Sequence, residues 1–204
     1  MLAHAVITAV PEAVTVGEPS GAGWNSYGDP MDFEITGGLR LSVSTLYHQL
    51  ASSDVVRPYI AINLPVEMTA SEYFAGRDPA LALVLGAEDT RAITAILGAN
   101  GPTAARAVFE ARRARYDTLP WWEPCSERMV NAIGYDFLRQ GDRDRAIGTF
   151  ALNTVAFPGS WNVWDSYGEA LAAAGKKAEA RAAYERSLAL NPGNASARKY
   201  LESN

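Results

Sequence analysis

Ser20 sits in the run Gly17-Glu18-Pro19-Ser20-Gly21-Ala22-Gly23, directly after the apolar stretch Ala13–Val16. A serine in a glycine-rich turn could serve as a nucleophile, or the glycines could cradle a phosphate. The pattern is neither Gly-x-Ser-x-Gly nor a P-loop, and no lysine follows it, so neither chemistry has its usual frame. A structural turn or the wall of a substrate groove fits better, with Ser20, Asn25 and Tyr27 as the groove candidates. His4, in an apolar run, reads as a helix residue, and His48 as a surface or groove residue; no local signature supports a Ser/His/Asp triad. The two histidines and the lone Cys125 lie far apart in sequence, which offers no metal-ligand cluster and rules out an internal disulfide framework. No metal and no cofactor are expected.

A second set of candidates depends on a repeat. Val130, Ile133, Gly134, Phe137, Gly141, Ala146, Phe150 and Pro158 recur 34 positions later as Trp164, Tyr167, Gly168, Leu171, Gly175, Ala180, Tyr184 and Pro192. A 34-residue period with this small/large pattern is the tetratricopeptide signature. The small residues let two antiparallel helices approach, Phe150 and Tyr184 fill the space between them, Gly141 and Gly175 make the turns, and Pro158 and Pro192 end the second helices. Repeats are expected at 127–160 and 161–194, followed by a terminal helix. The first helix of each repeat lines the concave face, which places Arg128, Asn131 and Tyr135 beside Asn162, Asp165 and Glu169. The acidic pair Asp165 and Glu169 favours a basic or N-terminal peptide. The competing reading is that the repeats only pack against and stabilise the preceding domain, since about three repeats are usually needed for stable stacking.

The elements ahead of the repeats are mixed. Leu2–Val10 reads as a helix ended by Pro11, and Ala13–Val16 as a short strand ending at Gly17. Met31–Thr36 and Leu39–Ser44 alternate apolar and polar residues around Gly37-Gly38, which reads as a β-hairpin with a two-residue turn. Leu39, Leu41 and Val43 then share one face. Pro58–Leu64 and Val66–Met68 read as extended, interrupted by Pro65, and Asp78-Pro79 as a helix start. Residues 88–120 form a helical connector, with a possible degenerate repeat turning at Asn100-Gly101-Pro102 and packing through Ala105 and Phe109. Trp121-Trp122 cap the junction between the halves. Glu110–Tyr116 and Gly175–Arg186 are charge-rich and read as solvated helix faces.

With 204 residues and a formal net charge of −5, the chain carries no basic patch for nucleic acid. Its apolar start is far shorter than the roughly 20 residues of a membrane span and lacks the cationic region of a signal peptide. The expected partner is a peptide or protein segment, without nucleic acid and without membrane insertion.

Three separated motifs carry a resemblance. Gly17, Glu18, Pro19, Ser20, Gly21, Asn25, Tyr27 and Gly28 match the pattern Gly-Glu-Pro-Thr-Gly-Gly-x-Pro-Asn-x-Tyr-Gly, with Ser20 for threonine and with Ala22 and Trp24 departing from it. "GLRLSVSTLYHQL" and "LPVEMTASEYFAGRDPALALVL" match a following hairpin and closing segment. In these runs residues 1–87 resemble the end of the protease domain of the C-terminal-processing (tail-specific) serine peptidases. That resemblance implies an α/β fragment, the remnant of a crotonase/Clp-protease-like peptidase domain, joined to all-α tetratricopeptide repeats over 121–204. It also implies a parent that hydrolyses peptide bonds through an acyl-enzyme. The nucleophilic serine then falls a few residues before Met1, and the Ser/Lys dyad of the better-known branch is absent because the aligned position is Gly23. The chain by itself is therefore expected to be inactive, and the resemblance implies a parent exported to the periplasm or beyond, although this chain carries no signal. "IGYDFLRQGDRDRAIGTFALNTVAFPGSWNVWDSYGEA" is similar to a C-terminal repeat segment that some bacterial hydrolases carry. The alternative is a non-catalytic tetratricopeptide module that binds peptide or protein.

Overall fold

Residues 10, 13–21, 23, 25–35, 37–49, 58–86 and 90–203 are described in the computed structural model. Most of the helix expected over Leu2–Val10, together with His4, lies outside them. The chain divides into two compact units, Met1–Glu88 with Leu119–Trp122, and Asp89–Thr118 with Glu123–Asn204.

In the first unit β1 (Val16–Gly17) pairs in parallel with β4 (Leu64–Pro65). The sequence reading has Pro65 interrupting an extended run, but the register pairs it with Gly17. The ladder takes its donors from Leu64 N–H to Thr15 O and Val66 N–H to Gly17 O, both at 3.0 Å, so the missing N–H of Pro65 costs no bond. A further contact is made just ahead of β4. Ile62 N–H donates to Trp121 O at 2.8 Å, Ile62 bridges Trp122 in parallel, and the Trp122 indole donates to Asn63 O at 3.1 Å. Trp122 thus makes an isolated bridge within the first unit, to which Leu119–Trp122 belong.

The hairpin is longer than its periodicity announces. β2 (Asn25–Ile35) and β3 (Leu39–Gln49) pair antiparallel from Asn25↔Gln49 to Ile35↔Leu39. Because Ile35 pairs with Leu39, one residue more than Gly37-Gly38 lies between the strands. The alternation sorts the faces: Phe33 opposes Leu41 and Met31 opposes Val43 on one, while Asp32, Glu34 and Arg40 lie on the other. Two short helices follow. α1 (Ala70–Phe74) starts at a capping box between Thr69 and Glu72, and α2 (Pro79–Leu85) at Asp78, whose carboxylate accepts from Leu81 N–H, as the Asp-Pro pair predicts.

The second unit is helical: α3 (Ile93–Tyr116), α4 (Glu127–Arg139), α5 (Arg143–Ala156), α6 (Trp161–Ala173), α7 (Lys177–Leu190) and α8 (Ala195–Ser203). The α4–α5 and α6–α7 hairpins turn at Gly141 and Gly175, with φ of 81° and 77°, a region that side chains with a Cβ disfavour. Within each hairpin a glycine meets a ring. A Cβ on Gly134 would lie 2.6 Å from Phe150, and one on Gly168 3.1 Å from Tyr184. The apolar cluster of the first hairpin (Phe137, Ala146, Phe150) is completed by Ala170 of α6, and that of the second (Leu171, Ala180, Ala183, Tyr184) by Ala197 of α8. Each pair closes its core with the next helix, and α8 covers the last one.

The connector follows the same scheme in part. Gly101 leaves the helical region at φ 81°, ψ 177°, so α3 is two helices across a kink, and Ala105 and Phe109 beyond it are buried. The Pro102 ring sits where a Cβ of Gly148 would be, at 2.6 Å, which seats the kink on α5. Glu110–Tyr116 is not wholly a solvated face: Arg112 and Tyr116 are buried, and Arg112 Nη2 donates to Arg91 O at 2.8 Å. That bond replaces part of the water the guanidinium loses. Burial, with Glu123 adding to it, pushes the Cys125 thiol up to about 12, so it behaves as a small packed side chain.

Candidate functional site

The first helices of the two hairpins present their candidates one turn apart. On α4 these are Arg128, Asn131 and Tyr135, and on α6 Asn162, Asp165 and Glu169. The structure joins several of them. Tyr135 Oη donates to Glu169 Oε2 at 2.8 Å and lies 3.2 Å from Ser166 Oγ, while its ring stands edge-on to Phe150 with centroids 5.1 Å apart. Tyr135 is therefore both a wall of the core and the brace of Glu169. Burial raises its phenol to about 12, and the neighbouring Glu169 and Asp165 carboxylates add to the shift, so it stays a donor at neutral pH.

Asp165 is held by the residue just ahead of α8. Asn194 Nδ2 donates to Asp165 Oδ1 at 2.8 Å and also to Ser187 Oγ at 2.9 Å, while Asn194 Oδ1 accepts from the N–H groups of Ser196 and Ala197. Burial raises the Asp165 pKa above its ordinary value of 3.8, the Asn194 bond opposes that, and the Glu169 charge adds to it. Asn162 turns aside to Glu127, whose Oε1 accepts from Asn162 Nδ2 at 3.2 Å and from Ser160 Oγ at 3.0 Å. Asn131 keeps its side-chain oxygen buried without a hydrogen-bond partner among the described residues. Arg128 is exposed and joins none of these contacts. The face is thus an acidic pair, Asp165 and Glu169, each held by a neutral donor, the first from the residue ahead of α8 and the second from α4.

Asn194, Ser166 and Glu127 are absent from the sequence candidates. Asn194 stands 34 positions after Ser160, each just ahead of a first helix, so the repeat and the preference for Asn at helix starts together mark it. Asn153 and Ser187, also 34 apart, are buried polar residues on otherwise apolar faces. Both donate to the first residue of the preceding helix, Asn153 to Glu127 O and Ser187 to Trp161 O, so one contact recurs in both hairpins.

Residues 161–201 match the family model described as tetratricopeptide repeat. A tetratricopeptide repeat region is therefore present. The match lies within the helical unit, and no curated protein matches the chain. Among similar solved structures, MamA is 20% identical over 49% of this chain, which spans 54% of MamA, with a TM-score of 0.36. The first tetratricopeptide domain of Spaghetti (RPAP3), bound to an HSP90 peptide, is 19% identical over 54% of this chain and 82% of its own, with a TM-score of 0.37. The type III secretion chaperone SycD of Yersinia enterocolitica, in complex with a peptide of the translocator YopD, is 17% identical over 54% and 85%, with a TM-score of 0.35.

The earlier candidates belong to the first unit. Ser20 Oγ accepts from Ile60 N–H at 2.8 Å, and Glu18 Oε1 from Met68 N–H at 2.8 Å, so both side chains of the turn tie it to the segment around β4. Asn25 and Tyr27 are on β2. Tyr27 is 75% exposed and stacks on Tyr47 across the hairpin, with centroids 5.0 Å apart. Among the described residues no group of His, Cys, Asp and Glu is arranged to hold a metal ion, and no helix is long and apolar enough to cross a membrane.

Proposed function

We propose that the repeat region works as a non-catalytic peptide-binding module, and that its concave face takes a segment carrying a cationic group, a Lys or Arg side chain or an N-terminal amine. The observation that supports this reading is the pair of braced carboxylates one turn apart, Asp165 held by Asn194 and Glu169 held by Tyr135. Two carboxylates whose own hydrogen-bond donors are neutral keep their negative charge available to an incoming cation, and their fixed geometry lowers the ordering cost of binding.

The test is fluorescence anisotropy of the whole chain with short peptides that differ only in charge. The Asp165→Asn/Glu169→Gln variant is expected to lose roughly 10-fold or more in affinity for the basic peptide, about 1.4 kcal/mol, and to bind a neutral one unchanged. The pH dependence has a definite sign. The raised Asp165 pKa means its charge is lost on acidification before that of an ordinary carboxylate, so binding falls from a pH above 3.8 downward. Equal affinity for acidic and basic peptides sinks the reading.

A second reading concerns the residues ahead of the repeats. They resemble the closing part of a tail-specific serine peptidase domain, and what favours this reading is the order of short strand β1, glycine-rich turn and β2–β3 hairpin. In this reading Ser20 is a structural residue of the turn, since its oxygen already accepts from Ile60 N–H. A serine-reactive phosphonate should leave Ser20 unlabelled by mass spectrometry; labelling there, or peptide cleavage abolished by Ser20→Ala, would refute it.

A further inference from the structure

The strongest unassigned feature is one face of the β2–β3 hairpin. Met31, Phe33, Ile35, Leu39, Leu41 and Val43 share it in cross-strand pairs, and they are 43–64% exposed. Tyr27 and Tyr47 pair further toward the open end, set off from Met31 and Val43 by Thr45 and by Asp29, whose backbone is left-handed at φ 48°. The opposite face carries Asp32, Glu34, Arg40 and His48, with Leu46 an exposed apolar residue among them, and is the more polar side. A two-stranded hairpin is marginal alone, and its apolar face needs a second layer.

We infer that this face is an interface between two copies of the chain, packed hairpin to hairpin about a two-fold axis. Three features select that occupant. Together with the exposed Tyr27 and Tyr47, these side chains present roughly 800 Å², the per-partner area of a standard protein interface, so the cover is a surface of equal extent rather than a small molecule. The six central residues carry no charge, which leaves nothing to pair with phosphate or with a charged segment. A second copy supplies an apolar strip of the same length, and a two-fold axis near the middle of the strip sets the aromatic end of one hairpin over the aliphatic end of the other. Stacked about 10 Å apart, the two hairpins form a two-layer sandwich that neither builds alone.

Sedimentation velocity of the full chain over a range of concentrations tests this. The wild-type chain is expected to sediment as a dimer. Phe33→Lys with Leu41→Glu places an opposite-charge pair at directly opposed positions, which preserves strand pairing while putting charges into the interface. That variant should raise the dimer dissociation constant roughly 100-fold or more, with the helical circular dichroism signal retained. Exchanging the charges of the cross-strand pair on the other face, Glu34→Lys with Arg40→Glu, should leave the dimer intact. A monomeric wild-type chain, a dimer unaffected by the Phe33/Leu41 change, or open-ended assembly through the strand edges would each overturn the inference.

Discussion

Phe150→Ala should destabilise the helical unit by about 3–5 kcal/mol, the range for removing a fully buried aromatic ring. Phe150 is completely buried, stands edge-on to Tyr135, and fills the space that Gly134 leaves between α4 and α5. Its loss removes apolar burial and opens a cavity that two helices joined by a tight turn can only partly close. Gly134→Ala alone should also destabilise, by about 1–3 kcal/mol, because the new methyl would sit 2.6 Å from the ring. The double variant carries the sharper expectation. With the ring gone the methyl enters the vacated space, so Gly134→Ala in the Phe150→Ala background should be neutral or stabilising, and the two effects should fall well short of additive. Urea unfolding followed by far-ultraviolet circular dichroism measures all four corners of the cycle. Additive losses would mean that the glycine and the ring do not share one space.

Asn194→Ala is expected to cost about 2–3 kcal/mol, with the damage concentrated in α8. One amide serves both sides of the last inter-helix joint: its oxygen caps α8 through Ser196 and Ala197, and its nitrogen reaches Asp165 and Ser187. Alanine leaves the start of α8 uncapped and Asp165 without its donor, which loosens the Tyr184–Tyr200 contact (centroids 4.5 Å apart) that docks α8 on α7. Hydrogen exchange should show α8 amides losing protection first, while α4 and α5 keep theirs. Asn194→Asp separates the two roles. It can still cap the helix, but it faces the Asp165 carboxylate with a second one. That variant should approach wild-type stability at acid pH, where the pair shares a proton, and lose it as pH rises and both ionise. Uniform loss of protection across all helices would show that the joint is not local.

How much of this was legible in the residues depends on the range of the interaction. The repeat was readable because its constraints are local and recur: Gly134 before Phe150, and Gly168 before Tyr184, sit at fixed spacing wherever two helices must touch. The hairpin was readable from the alternation of Phe33 and Ile35 with polar neighbours, and the start of α2 from Asp78-Pro79. The apolar face of that hairpin was legible too, though its 43–64% exposure was not. The same limit applies to the burial of Arg112, whose run of charges reads as a wet surface until Arg91 O is brought beside it. Asn194 carried a mark, the 34-residue period from Ser160, but not the identity of its partner 29 residues back.

By itself, then, the sequence determined where the helices turn, which small residues face which rings, and which side of the hairpin is apolar, since each follows from sterics and side-chain period within one element or between neighbours. Only the tertiary structure decided that β1 lies beside β4 across 48 residues, that Trp122 bridges Ile62, and that Asp165 is braced by the residue ahead of α8 and Glu169 from α4. Parallel pairing and inter-helix hydrogen bonds join residues with no fixed spacing, so they leave no periodic trace in the chain.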